Sequence, residues 1–258
     1  MSCAVLSPTA IHIDAYGVAI ELRAYDAELL AALRRVAPPG TSVTEPAARP
    51  TVFSIVEDDE SYLLLVDGCR TAKSAHLDEI LAILESTLHF QVAVAARTRL
   101  FIHAGVVAWK GGAILLPGRT RAGKSSLVAA LVRAGATYYS DEYAVLDDAG
   151  FVHPFARALG IRDATGRARR LDPRTIGEIG EAPLPVKRVI ATRYVAGGAW
   201  RATPMSPGET ALALLDNTLA ARSRPADALR ILASVARRAS GVRGERGDAT
   251  AAVEQILT

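Results

Sequence analysis

The sequence predicts an α/β (α+β) protein in two parts: a small α+β subdomain over residues 1–95 and a nucleotide-binding domain with a mixed sheet over 96–258. Three observations lead there. Residues 118–125 read GRTRAGKS, a full match to the phosphate-loop pattern GxxxxGK[ST]. Two apolar runs, LFIHAGVVAW and AILLP, precede it and are joined by Lys110-Gly111-Gly112, a tight-turn signal. The formal net charge of +3 divides into −7 over residues 1–95 and +10 over 96–258.

Composition bounds the reading before any motif does. The chain has 258 residues and half are apolar by type, enough to build a core and to exclude wholesale disorder. Of the 30 basic residues 26 are arginine, and alanine occurs 48 times, so large core-filling side chains are fewer than the apolar fraction suggests. Cys3 and Cys69 cannot make a zinc site alone and fit no disulfide framework. No apolar run reaches the roughly 18 residues that span a bilayer, and the N-terminal stretch lacks the basic start and apolar core of a signal peptide. A cytoplasmic protein with no membrane partner is expected.

In the first part, residues 17–23 alternate apolar and polar as a half-buried strand does. Asp26 then caps an amphipathic helix with Leu29, Leu30 and Leu33 on one face, ended by Pro38-Pro39-Gly40. TVFSIV (51–56) and YLLLVD (61–66) flank the acidic turn at Asp58-Asp59-Glu60 and read as a hairpin. A helical pattern runs from Ser74 to about Arg97 through Leu77, Ile80, Leu81, Leu84 and Leu88. His12, His76 and His89 stand alone and read as structural or solvent-facing.

In the second part, the two apolar strands lead into the motif, and KSSLVAALVRA follows as a helix stopped at Gly135. A strand pair is expected at 187–195 and 199–204, then helices near 208–222, 225–238 and 249–257, while the basic run at 167–170 reads as a solvated loop. The turn residues restrict the register. Paired positions sum to 221 or 223, so His103 sits opposite Gly118 or Thr120 at the mouth of the loop. The strand entering the loop then has an antiparallel neighbour, which argues against GTPase-type and RecA-type sheets.

The motif's chemistry is that of triphosphate binding. Gly118, Arg119, Thr120, Arg121, Ala122 and Gly123 form a loop whose N–H groups turn inward toward phosphate oxygens. The helix that follows adds its positive end. Lys124 reaches the β and γ phosphates, Ser125 is placed to ligate Mg²⁺, and Ser126 touches the α phosphate. ATP and Mg²⁺ are therefore the expected cofactors. Sixteen residues beyond Ser125 lie Asp141 and Glu142, adjacent acids at the end of a short strand. One would hold metal while the other takes a proton from an attacking hydroxyl.

The stretch from Ile102 to Val107, the turn, the GRTRAGKS loop and helix, and then YSDEYAVLDD resembles the bacterial HPr kinase/phosphorylase family, distant relatives of phosphoenolpyruvate carboxykinases. The resemblance is specific over about 100–150 and faint beyond. It implies a P-loop kinase core in which His103 is the active-site histidine, Asp141 the general base and Glu142 the second acid. Two positions depart from the pattern. Glu209 stands where that family has an arginine, and residues 155–162 lack its metal-binding glutamate. The chain is thus more similar to stand-alone relatives such as the lasso-peptide kinases, whose pattern resembles His153-Pro154…Arg162 and makes Arg157 and Arg162 candidate phosphate or substrate contacts.

The expected function is an ATP- and Mg²⁺-dependent kinase that transfers phosphate to a hydroxyl, serine above all, of a peptide or protein, with Asp141, His103 and Lys124 catalytic. The alternatives are a nucleotide-binding regulatory protein without phosphotransfer and a small-molecule kinase. Basic residues are not interleaved with exposed aromatics, so no nucleic-acid partner is expected. The sequence leaves open the acceptor, the role of residues 1–95 and whether the chain forms a homo-oligomer.

Overall fold

The computed structural model describes residues 9–118, 123–162 and 168–258, and divides into two compact units, Met1–Thr98 and Arg99–Thr258. It is a mixed α/β protein with mixed sheets and six α-helices among the described residues.

The first unit runs β1 (Thr9–Ala15), β2 (Val18–Ala24), α1 (Ala27–Arg35), β3 (Ser42–Val43), β4 (Thr51–Asp58), β5 (Ser61–Val66), β6 (Cys69–Ser74) and α2 (Leu77–Ala95). Its six strands form one sheet in the order β3-β1-β2-β4-β5-β6. Asp26 caps α1 by accepting a hydrogen bond from the Leu29 N–H at 2.7 Å, as its position before an apolar face suggests. The β4–β5 hairpin forms around the acidic turn. The segment from Ser74 differs from expectation: Ser74 ends the exposed strand β6, and the helix starts three residues later. His89 is buried, and its Nε2 bonds the Val36 carbonyl at 2.9 Å, a structural role.

The second unit runs β7 (Leu100–Trp109), β8 (Gly112–Pro117), α3 (Lys124–Arg133), β9 (Thr137–Ser140), β10 (Tyr143–Leu146), β11 (Phe151–His153), β12 (Leu159–Arg162), β13 (Ala168–Leu171), β14 (Leu184–Tyr194), β15 (Arg201–Met205), α4 (Pro207–Leu215), α5 (Pro225–Arg238), β16 (Ser240–Arg246) and α6 (Ala249–Leu257). The main sheet has the order β11-β10-β7-β8-β14-β16-β15, with β9 also on β7. The β7–β8 turn uses Lys110 (φ 49°) and Gly111 (φ 72°), two left-handed residues in succession that match the strand twist. The strands then pair antiparallel from Trp109↔Gly112 to Ala104↔Pro117, while β14 pairs β8 in parallel from the other side.

Burial on both faces explains the continuous apolar runs of β7 and β8. Leu100, Ile102, Ala104, Val106, Ala113 and Leu115 pack toward Ile231, Leu232 and Val235 of α5. Val107, Ile114 and Leu116 pack toward α3 and toward Ile256 of α6. No helix among the described residues is long and apolar enough to cross a membrane.

Two expectations are corrected. The strands near 187–195 and 199–204 exist, but they do not pair; β16 lies between them, parallel to β14 and antiparallel to β15. Residues 168–171 are a strand paired with β12 rather than a loop; residues 163–167 lie outside those described. β16 depends on a close approach. A Cβ on Gly244 would stand 2.4 Å from the Arg201 carbonyl oxygen and 3.0 Å from the Ala202 Cα, both backbone. Gly244→Ala therefore forces β15 away from β16 and should cost about 1–3 kcal/mol, read as a lower denaturant midpoint; an unchanged midpoint would show that β15 is not held at this spacing.

Candidate functional site

The site is built at the N-terminus of α3. Gly123 caps the helix in the left-handed region (φ 75°, ψ 18°), which glycine adopts without strain. The first turn carries no acidic residue, so nothing on the helix itself offsets its positive end. Lys124 lies in that turn, and its ammonium donates to the Gly118 carbonyl at 2.7 Å, tying the two ends of the glycine-rich segment together. Burial lowers the Lys124 pKa, while Asp141 and Glu142 draw it back up. Arg119, Thr120, Arg121 and Ala122 lie outside the described residues.

The acids come from the turn between β9 and β10. Ser140 fixes that turn, its hydroxyl accepting from the Tyr143 N–H at 3.1 Å and the Glu142 N–H at 3.3 Å. Asp141 Oδ2 accepts from the Gly160 N–H at 3.2 Å. Its other oxygen, Oδ1, is buried and has no hydrogen-bond partner among the described residues. Burial raises the Asp141 pKa, against Ser125 and Lys124, which favour the ionised form. The fold thus brings Lys124, Ser125 and Asp141 together, as the motif and the acid pair suggest.

Glu142 is engaged differently. Its carboxylate pairs with the Arg157 guanidinium, and its carbonyl accepts from the Ala104 N–H at 3.0 Å. Arg157 therefore stands beside the acids, its carbonyl held by the Tyr138 hydroxyl at 2.8 Å. Arg162 is placed by its backbone at the end of β12, opposite Ala168. Ser126 follows in the first turn of α3.

His103 lies at the mouth of the segment. The Gly118 N–H donates to its carbonyl at 3.3 Å, the first of the two partners the turn arithmetic allows. On its other side it pairs with Tyr143, whose ring lies 5.9 Å away at 68°. Burial, then Lys124, pushes the His103 pKa down to about 4, so the imidazole is neutral at pH 7. A folded pKa below the usual 6.5 means its contribution to stability is complete above about 6.5 and is lost as pH falls toward 4. An NMR titration of the imidazole should show its midpoint near 4; a midpoint near 6.5 would contradict the site's burial.

Mg²⁺ fits these residues. The orphaned Asp141 Oδ1 needs a partner, and Ser125 with the Asp141–Glu142 pair supplies the hard oxygen donors that Mg²⁺ takes. Among the described residues no group of three His, Cys, Asp or Glu side chains could hold a metal, so phosphate and water oxygens would complete its shell.

Two further residues clarify the surroundings. His153 bonds Asp147 at 2.9 Å and braces the 147–151 turn. Glu209 closes a capping box with Ser206, donor and acceptor both in place, so the Pro207-Gly208-Glu209 segment is a helix start.

Sequence reasoning missed Arg246. It is 2% exposed, and its Nη2 donates to the Gly123 carbonyl at 2.6 Å. One arginine among 26 carries no spacing that marks it.

Comparison with protein-family models and with curated proteins gave no match for this chain.

Proposed function

We propose that the chain is an ATP- and Mg²⁺-dependent phosphotransferase of the HPr-kinase-like type, moving the γ phosphate to a hydroxyl of a peptide or protein. The observation that carries this reading is the meeting of Lys124 and Ser125, at a helix N-terminus with no acid in its own first turn, with a buried Asp141 whose Oδ1 has no hydrogen-bond partner among the described residues.

The α3 amides and Lys124 hold the phosphates. Ser125 and the Asp141–Glu142 pair would hold Mg²⁺, which would supply charge neutralisation on the phosphate oxygens. Asp141 accepts the proton of the acceptor hydroxyl as that oxygen bonds to the γ phosphorus and the bond to the β–γ bridging oxygen breaks, releasing ADP. The neutral imidazole of His103 offers a hydrogen bond at the γ end without adding charge. Arg157 holds Glu142 beside the site. Catalysis in this reading is mainly positioning.

The Glu142–Arg157 ion pair favours a second reading, nucleotide binding without transfer, because it occupies the second acid. Incubation with ATP, Mg²⁺ and serine-bearing peptides, read by mass spectrometry, separates the two. A phosphate mass shift that disappears in Asp141→Asn supports the transferase; binding with no shift supports the second reading.

A further inference from the structure

The two sides of β8 differ in chemistry. His103, Asp141 and Glu142 lie on the β7 side. On the other side β14 and β16 run parallel to β8, so their carboxyl ends lie at the same edge as the glycine segment. Ligands of such sheets bind at the carboxyl ends of the strands. There, Tyr194 and Arg246 are register partners.

Arg246 is the largest fully buried side chain among the described residues. Its Nη1 donates to the Gly247 carbonyl at 3.0 Å and its Nη2 to that of Gly123, while Nε is buried with no hydrogen-bond partner among the described residues. No ion pair to it is formed among the described residues. Asp248 adds an opposite charge without forming an ion pair, and a buried guanidinium so placed is expensive unless an anion joins it. The guanidinium carbon lies 5.9 Å from the centroid of the Tyr194 ring, and Tyr194 is 55% exposed. A cavity of about 1000 Å³ is lined by the preceding residues Thr192 and Arg193 of β14 and Gly244 and Glu245 of β16, by Trp200 and by Pro117 at the end of β8; Tyr194 and Arg246 lie outside its lining.

From this placement we infer that Tyr194 and Arg246 form the subsite for the nucleoside end of a bound nucleotide, the base stacked on the Tyr194 ring and Arg246 facing the phosphate nearest the ribose. The inference rests on the nucleotide reading above and adds where the nucleoside goes. Asp141 follows β9 on the β7 side, and Gly123 at the start of α3 touches Arg246 on the other, so a phosphate chain laid along the α3 N-terminus from Asp141 would put the nucleoside on the β14–β16 side. The exposed aromatic ring and the buried guanidinium both lie on that side.

Calorimetric titration of the full chain with MgATP and with magnesium tripolyphosphate, which has no nucleoside, tests this. In the wild type MgATP should bind more tightly than tripolyphosphate. Tyr194→Ala should weaken MgATP about tenfold and leave tripolyphosphate unchanged, and Tyr194→Phe should keep the wild-type affinity. Arg246→Gln should weaken both ligands. MgATP binding untouched by Tyr194→Ala, equal losses for the two ligands in that variant, or wild-type affinity for both in Arg246→Gln, overturns the assignment. A wild type that binds neither ligand removes the nucleotide reading itself, and this subsite with it. Tyr194 is exposed enough that its replacement does not threaten folding.

Discussion

Asp141→Asn is expected to lower phosphoryl transfer by about two to four orders of magnitude while raising the melting temperature at neutral pH. The first effect follows from removing the only proton acceptor that the proposed mechanism uses. The second follows from linkage. Burial raises the folded pKa of Asp141 above its usual 3.8, so the folded state resists ionisation. Stability then falls as pH rises from 3.8 through the folded pKa and stays reduced at neutral pH. Asparagine keeps the shape and removes the buried charge, and with it that loss. Rate and melting temperature measured on one preparation check both. Transfer at the wild-type rate would remove Asp141 from the mechanism; a lower melting temperature would show that the carboxylate is stabilising.

Phe101→Ala is expected to cost about 3–5 kcal/mol of folding stability, read as a lower denaturant midpoint. Phe101 is fully buried and packs edge-on against Tyr143 at 5.8 Å and Phe155 at 5.9 Å, and those two rings lie 5.7 Å apart. The three come from β7, from β10 and from the chain just after β11, so the cluster holds these segments against one another. Tyr143 also packs on His103, and Arg157 follows Phe155 by two residues. The cluster is thus the support beneath the acids. Phe101→Leu, which refills most of the volume, should cost markedly less. A loss below about 1 kcal/mol for the alanine variant would show that the cluster does not hold these strands.

How much of this was legible in the sequence differs by element. The β7–β8 hairpin was readable because two apolar runs flank a turn that needs left-handed residues; the turn narrows the register to two choices, and the pairing of Trp109 with Gly112 selects the first. The α1 cap at Asp26 and helix α5 were readable for similar local reasons. β16 was not. Its sequence, SGVRGER, has one β-branched residue and two glycines, and it is a strand because Gly241 and Gly244 admit Thr210 and the β15 backbone at close range. Long-range neighbours also hid the partnerships at the site. Nothing local pairs Glu142 with Arg157, fifteen residues on, or brings Arg246 to Gly123, 123 residues back. The strand at 168–171 read as a loop because its arginines look solvated; its pairing with β12 decides otherwise.

The central claim is that the site around Lys124 holds a nucleotide. Titration of the full chain with MgATP, repeated with Lys124→Ala, tests it most directly. Saturable binding in the wild type, lost in a variant that keeps the wild-type circular dichroism spectrum, is the predicted result; no binding in the wild type, or equal binding by both, would contradict it.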